Sequence, residues 1–217
     1  MLNKKNIFFG SSVFLVALFI IATWAYKDAK NEALSFMAKD NKELFMPDYS
    51  PRYGNADAKV FLIEFLDPEC ESCRRFYPQV KDILKKYEGK VQLVVRYAPF
   101  HKNSKIAIRA IEAARMQGLY WESLETLFKN QPYWGNHHNP KPELIFDYLL
   151  QLGLDMDKLR SDMKSPEITK MIEQDVADLK TLEVRGTPTF FINGKPLSSF
   201  SVNTIDSMIK SEIETLY

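Results

Sequence analysis

The seven residues from Val60 to Leu66 are apolar except for Glu64 and rich in β-branched and aromatic side chains, the composition of a buried strand. Asp67-Pro68 ends that run. Phe76, Val80, Ile83, Leu84 and Tyr87 then recur at spacings of three and four, which predicts an amphipathic helix from about Cys70 to Tyr87. A turn at Glu88-Gly89-Lys90 leads to a second strand pattern, Val91 to Tyr97. Strand, helix and strand in that order predict a parallel βαβ unit, and this constrains the fold more than anything else in the chain. Cys70 falls where the first strand gives way to the helix. Unpaired N–H groups and the positive end of the helix dipole lie beside its sulfur there, which favours a thiolate.

Cys73 is one helical turn further on, within reach of Cys70, and these are the chain's two cysteines. Three readings compete. Tetrahedral zinc wants four ligands; there is no second cysteine pair, and His101, His137 and His138 are distant in sequence. A purely structural disulfide would close a very small loop and remove little unfolded-chain entropy. A redox-active pair suits the strand-to-helix setting best.

Ile7 to Tyr26 is a nearly unbroken apolar stretch of 20 residues, about 30 Å as a helix, which matches a bilayer core. Lys4 and Lys5 precede it, so the N-terminus is expected to stay in the cytoplasm and the remainder to be exported. Trp24 and Tyr26 suit the membrane interface better than a cleavage site, which makes a retained anchor the leading expectation and a cleaved signal its rival. Either outcome puts the cysteines where disulfides persist. The formal charge of +1 averages residues 1–27, with Lys4, Lys5 and Lys27 and no acid, with a remainder of 26 basic and 28 acidic residues. That balance leaves no basic face for nucleic acid.

Residues 27–55 are mixed in character. Lys27 to Lys39 is suited to a polar helix or stalk, Leu44 to Pro47 to a short packed extended piece, and Asp48 to Asn55 to a turn-rich domain entry. From Ser104 the pattern turns helical: Ser104–Met116, Tyr120–Phe128, Pro142–Leu150, Met156–Met163 and a stretch from Pro166 to Leu179. The loop from Asn130 to Pro140, with Trp134, His137 and His138, is expected to face solvent or wall a groove. Strand signals return at Thr189 to Ile192, followed by the hairpin dipeptide Asn193-Gly194 and an edge strand near Lys195 to Leu197. Asn203 is the expected cap of a terminal helix.

Two further places carry chemistry. Glu64 interrupts an apolar strand, where burial raises a carboxyl pKa and fits it to exchange a proton with Cys73; pairing with Lys59 is the plainer alternative. Arg185-Gly186-Thr187-Pro188-Thr189 places a proline just before a strand, open to either a cis or a trans bond.

Asp67-Pro68-x-Cys70-x-x-Cys73-x-x-Phe76, with Glu64 upstream and Gly186-Thr187-Pro188-Thr189-Phe190-Phe191-Ile192-Asn193-Gly194 downstream, resembles the DsbA-like thiol–disulfide oxidoreductases of the thioredoxin superfamily. The resemblance implies an α/β thioredoxin-like fold with an inserted all-helical subdomain. The expected organisation is an anchor at 1–26, a stalk at 27–55, a thioredoxin-like domain at 56–103 and 181–217, and the insertion at 104–180. It implies Cys70 as exposed nucleophile, Cys73 as buried resolving thiol and Glu64 as the buried acid. Pro188 becomes a cis-proline facing the pair, with Gly186 and Thr187 offering backbone to an extended substrate. It implies no cofactor. Expected partners are cysteine-bearing secreted or envelope proteins and a membrane redox protein that recycles the pair, with the inner membrane held through residues 7–26. Glu71-Ser72 between the cysteines departs from the Pro-His of the family's strongest oxidants, and its isomerase-like members share threonine before the proline. An oxidant, an isomerase and a reductase therefore all stay open. So does a non-enzymatic anchored module with a static disulfide.

Overall fold

A computed structural model describes the backbone of residues 4–136 and 138–217, and side chains from residue 12 onward except at positions 35, 39 and 137. His137 and the first three residues therefore lie outside the described residues, as do the side chains of Lys4 and Lys5.

The chain runs α1 (Lys4–Asp40), α2 (Lys42–Phe45), β1 (Arg52–Gly54), β2 (Val60–Leu66), α3 (Glu71–Lys86) and β3 (Val91–Tyr97). Five helices follow: α4 (Ser104–Arg115), α5 (Tyr120–Trp134), α6 (Leu144–Leu150), α7 (Met156–Asp162) and α8 (Pro166–Thr181). It closes with β4 (Thr189–Ile192), β5 (Lys195–Pro196) and α9 (Val202–Leu216). The sheet order is β1-β3-β2-β4-β5, with β2 and β3 parallel and the other pairs antiparallel. This is a thioredoxin-like α/β core with a helical insertion between β3 and β4.

The period of two along β2 explains its two-sided burial. Val60, Leu62 and Leu66 join the core beneath α3, α4, α5 and α9, while Ile63 and Phe65 join a second cluster on the opposite face. Glu64 shares the first face. Tyr97 ties the insertion to the sheet, its hydroxyl bonding Glu112 Oε1 at 2.8 Å and the Tyr120 hydroxyl at 2.9 Å.

The second face is covered from both ends of the sequence. Leu179, Leu182 and Val184 pack there with Leu34, Leu44, Phe45 and Met46. Buried Arg96 binds Asp175, Asp178 and the Leu44 carbonyl, joining α8 and α2 to β3. Lys27 to Lys39, read from sequence as a polar helix or stalk, thus supplies core through Leu34, while the piece from Leu44 to Pro47 packs as expected but begins as the helix Lys42–Phe45 rather than extended. β1, within the expected turn-rich entry, pairs with β3. Three local expectations are corrected. α5 continues through Pro132 to Trp134, which is wholly buried with Nε1 donating to the Leu127 carbonyl, so it walls no groove. The cap of α9 is Ser201, whose hydroxyl accepts from Thr204 N, and Asn203 lies inside the helix. The edge strand ends at Pro196.

Candidate active site

The cysteines lie at the carboxyl end of β2. Cys70 is the N-cap of α3, extended at φ −74° and ψ 119°, and Cys73 lies in its first turn. The Thr187–Pro188 peptide bond is cis, and the Thr187 carbonyl lies 3.3 Å from Cys70 Sγ. The fold therefore brings Gly186, Thr187 and Pro188 to the cysteine pair across more than a hundred residues of sequence. Cys73 is fully buried and Cys70 retains 7% exposure, a narrower opening than an exposed nucleophile suggests.

The two sulfurs have opposed acidities. A hydrogen bond from the Cys73 thiol is the largest influence on Cys70 and favours its thiolate; burial opposes it, and Thr187 and the backbone N–H groups of Cys73 and Ser72 favour it again. The net result lowers the Cys70 pKa to about 5. Burial, the same hydrogen bond and the nearby Glu64 carboxyl push Cys73 well up. At neutral pH the pair is one thiolate beside one thiol. The arginines after the pair are engaged elsewhere, Arg74 with Gln131 and Arg75 with the Ser72 hydroxyl. Helix-end N–H groups and Cys73 supply the stabilisation instead.

Glu64 is 2% exposed, and its Oε2 accepts no hydrogen bond from the described residues. Burial, then the Cys70 thiolate, raises its pKa to about 8. Its position beneath α3 excludes the plainer reading of a solvent-facing residue paired with Lys59, whose amine bonds the Leu216 carbonyl.

Buried acids shape the loop before the nucleophile. Asp67 accepts Cys70 N at its carbonyl (3.0 Å), and its own N–H points at Cys73 Sγ at 3.5 Å. Its carboxylate accepts from Glu69 N, Phe100 N, the Ser104 hydroxyl and His101, whose Nδ1 lies 2.7 Å away. Glu69 binds Asn103 through both oxygens. From the insertion, Gln131 donates to the Pro68 and Cys70 carbonyls. The roles of Asp67, His101 and Gln131 are not visible in sequence because the contacts that join them to the site, Asp67 to Phe100, His101 and Ser104 and Gln131 to Pro68 and Cys70, span 33 or more residues. An acid directly before proline at a strand end reads as a turn former. His138 lies in the exposed turn after α5.

The hydrogen bond to Asp67 raises the His101 pKa, with the Asp67 and Cys70 charges adding to it. The Asp67 and Cys70 charges both favour the charged form of His101, and by reciprocity that form favours the thiolate. His101→Gln, which keeps a donor without the charge, is expected to raise the Cys70 pKa by up to about one unit. Thiolate absorbance against pH measures it, and an unmoved midpoint in a folded variant rejects the role. The His101–Asp67 contribution to stability is full below the unfolded histidine value near 6.5 and is lost as pH rises through the higher folded value.

A family model described as Thioredoxin matches residues 47–211. The chain belongs to the thioredoxin family. Among solved structures, a thioredoxin-like oxidoreductase from Silicibacter pomeroyi DSS-3 is 27% identical with a TM-score of 0.70, covering 82% of this chain and 99% of that one. BdbD from Bacillus subtilis in its oxidised form is 25% identical with a TM-score of 0.68, over 76% of this chain and 93% of that one. A linker-deletion variant of Proteus mirabilis ScsC shares the fold along 100% of this chain and 99% of its own, at 18% identity and a TM-score of 0.75. A curated relative, the Na(+)/H(+) antiporter NhaA of Herminiimonas arsenicoxydans, is 31% identical over 166 residues, which are 76% of this chain and 26% of that protein. The chain thus spans about a quarter of the length of such relatives. The fold is that of the DsbA-like branch of the family.

Proposed function

We propose that this protein is a thiol–disulfide oxidoreductase, exported and tethered to the cytoplasmic membrane by α1, that rearranges disulfides of secreted or envelope proteins through a Cys70 mixed disulfide. The Cys70 thiolate attacks one sulfur of a substrate disulfide. The S–S bond breaks, and the departing substrate sulfur leaves as a thiolate. Two exits follow. The freed substrate thiolate attacks elsewhere in the substrate, and a substrate sulfur finally returns to the mixed disulfide and releases Cys70, with no net electron transfer. Alternatively, once Cys70 is tied up in the mixed disulfide and its charge no longer raises the Glu64 pKa, Cys73 passes its proton to ionised Glu64 and attacks Cys70, releasing a dithiol substrate and an oxidised enzyme.

The observation that carries the isomerase reading is the high pKa of Cys73. A resolving sulfur held as a thiol slows the second exit and lengthens the life of the mixed disulfide. Threonine before the cis-proline agrees with it. A membrane redox partner returns the pair to the dithiol after each escape.

For the tether, Ser12–Ala38 is the one stretch among the described residues long and apolar enough to cross a membrane, and Phe14, Leu15, Phe19, Ile20 and Trp24 are exposed along it. Cleavage of the segment as a signal is the alternative, with the domain then released on the same side.

The test of direction is scrambled ribonuclease incubated with catalytic amounts of the reduced enzyme. Regained activity at constant total thiol supports isomerisation. Net loss of thiol marks an oxidant, net gain at the expense of a reductant marks a reductase, and either overturns the reading.

A further inference from the structure

α1 is fixed to the catalytic domain at both ends of β4. At the cis-proline end, Lys30 forms an ion pair with Glu183, four residues before Thr187. At the far end, Gly194 lies so close to Ala38 that any Cβ there would collide with its methyl group. Asn193 beside it bonds Phe61 at the start of β2, the end opposite the cysteines. Leu34, between these contacts, is buried in the second core cluster. The helix therefore runs along the sheet in the same sense as β4, and its N-terminal continuation leaves past the active-site end. Only three residues separate Tyr26 from Lys30, a rise of about 6 Å along the helix.

The same end carries groups suited to a lipid headgroup region. Phe100, whose N–H binds Asp67, is 45% exposed, and Phe200, its ring centroid 4.4 Å from that of Phe76 at a tilt of 38°, is 51% exposed. Lys102 and Lys105, close to Phe100 in sequence, are exposed, as is Arg185, which lies 3.6 Å from the exposed Glu183; Glu71, at the start of α3, is a further exposed acid. Aromatic residues among cations form the pattern that settles on anionic bilayer surfaces.

We infer that the Cys70 and cis-proline end of the domain faces the bilayer, so that the cysteines it serves lie at the membrane surface, in the extracytoplasmic segments of membrane-embedded proteins. This rests on the tether reading above. A domain on a flexible stalk would sample free secreted chains in any orientation. This one presents its nucleophile to what lies beside it in the membrane.

The test uses the full chain in nanodiscs of phosphatidylethanolamine and phosphatidylglycerol. In a C70S/C73S background no other cysteine remains, so Glu71→Cys or Glu88→Cys places one fluorophore at either end of α3. The 16 residues of α3, about 24 Å long, lie between position 71 at its start and position 88 just past its end, and energy transfer to a headgroup acceptor is expected to be at least about threefold greater from position 71. Equal transfer, or greater transfer from 88, in disc-bound protein overturns the orientation and leaves the tether standing. Protein that elutes apart from the discs overturns the tether and the orientation with it.

Discussion

Replacing Cys73 with alanine is expected to turn the enzyme into a trap for every substrate whose own thiols do not displace Cys70. Cys70 keeps its place at the start of α3, with the Ser72 and residue-73 N–H groups still beside it, so the first attack proceeds. The escape route through residue 73 is gone, and substrates that do not complete their own rearrangement stay bound until an outside thiol frees them. Net oxidation or reduction of substrate should fall to background, while non-reducing gels of cell membranes show covalent adducts that reductant dissolves. A second effect accompanies it. The Cys73 thiol is the largest single stabiliser of the Cys70 thiolate. Its removal should move the Cys70 titration from about 5 up toward the free-thiol value of about 8.5. Absorbance of the variant at 240 nm against pH reads this directly. An unmoved midpoint would mean that helix-end N–H groups alone hold the thiolate, and a lack of adducts would count against Cys70 as the nucleophile.

Glu64 gives the second large effect, on stability as well as rate. Below about pH 4.5 its carboxyl is protonated in both folded and unfolded chains and adds no pH-dependent cost. As pH rises the unfolded chain releases the proton while the folded chain keeps it to about pH 8, so stability falls across that window. At and above pH 8 the full penalty is about 5 kcal/mol. Glu64→Gln should therefore match the parent in urea unfolding at pH 4 and exceed it by about 2–4 kcal/mol at pH 8. The gain should be smaller in the oxidised protein, where the Cys70 thiolate that adds to the Glu64 shift is absent. The same substitution removes the proton acceptor for Cys73, and escape through Cys73 is expected to slow about a hundredfold. Parent-like escape rates between pH 6 and 8 would end that role, even if the stability change appeared as described.

Much of this arrangement was legible in the chain before its structure. The spans of β2, β3 and β4 stand where apolar runs and turn residues mark them. The cysteine pair at a strand-to-helix junction declares its own chemistry. Glu64 stood out because a carboxyl within an apolar run has no local explanation. The illegible parts share one physical cause, partners distant in sequence. Asp67 becomes the hub of the loop only when β3 delivers Phe100, His101 and Ser104 to it. Gln131 reaches the Cys70 carbonyl from the insertion, and Leu34 and Phe45 become core only against the back of the sheet. Local periodicity carries no trace of such meetings.

The most direct test of the central claim, that a stabilised Cys70 thiolate drives the chemistry, is the reduction potential of the Cys70–Cys73 pair in glutathione buffers at pH 7. Thioredoxin, with a thiol pKa near 7, stands at about −270 mV. A Cys70 pKa of about 5 favours the reduced state by a further ~2.3 kcal/mol at that pH, equivalent to about 50 mV. The expected value is therefore about −220 mV or less negative. A value at or below about −270 mV would show that the thiolate is not stabilised as described and would contradict the account.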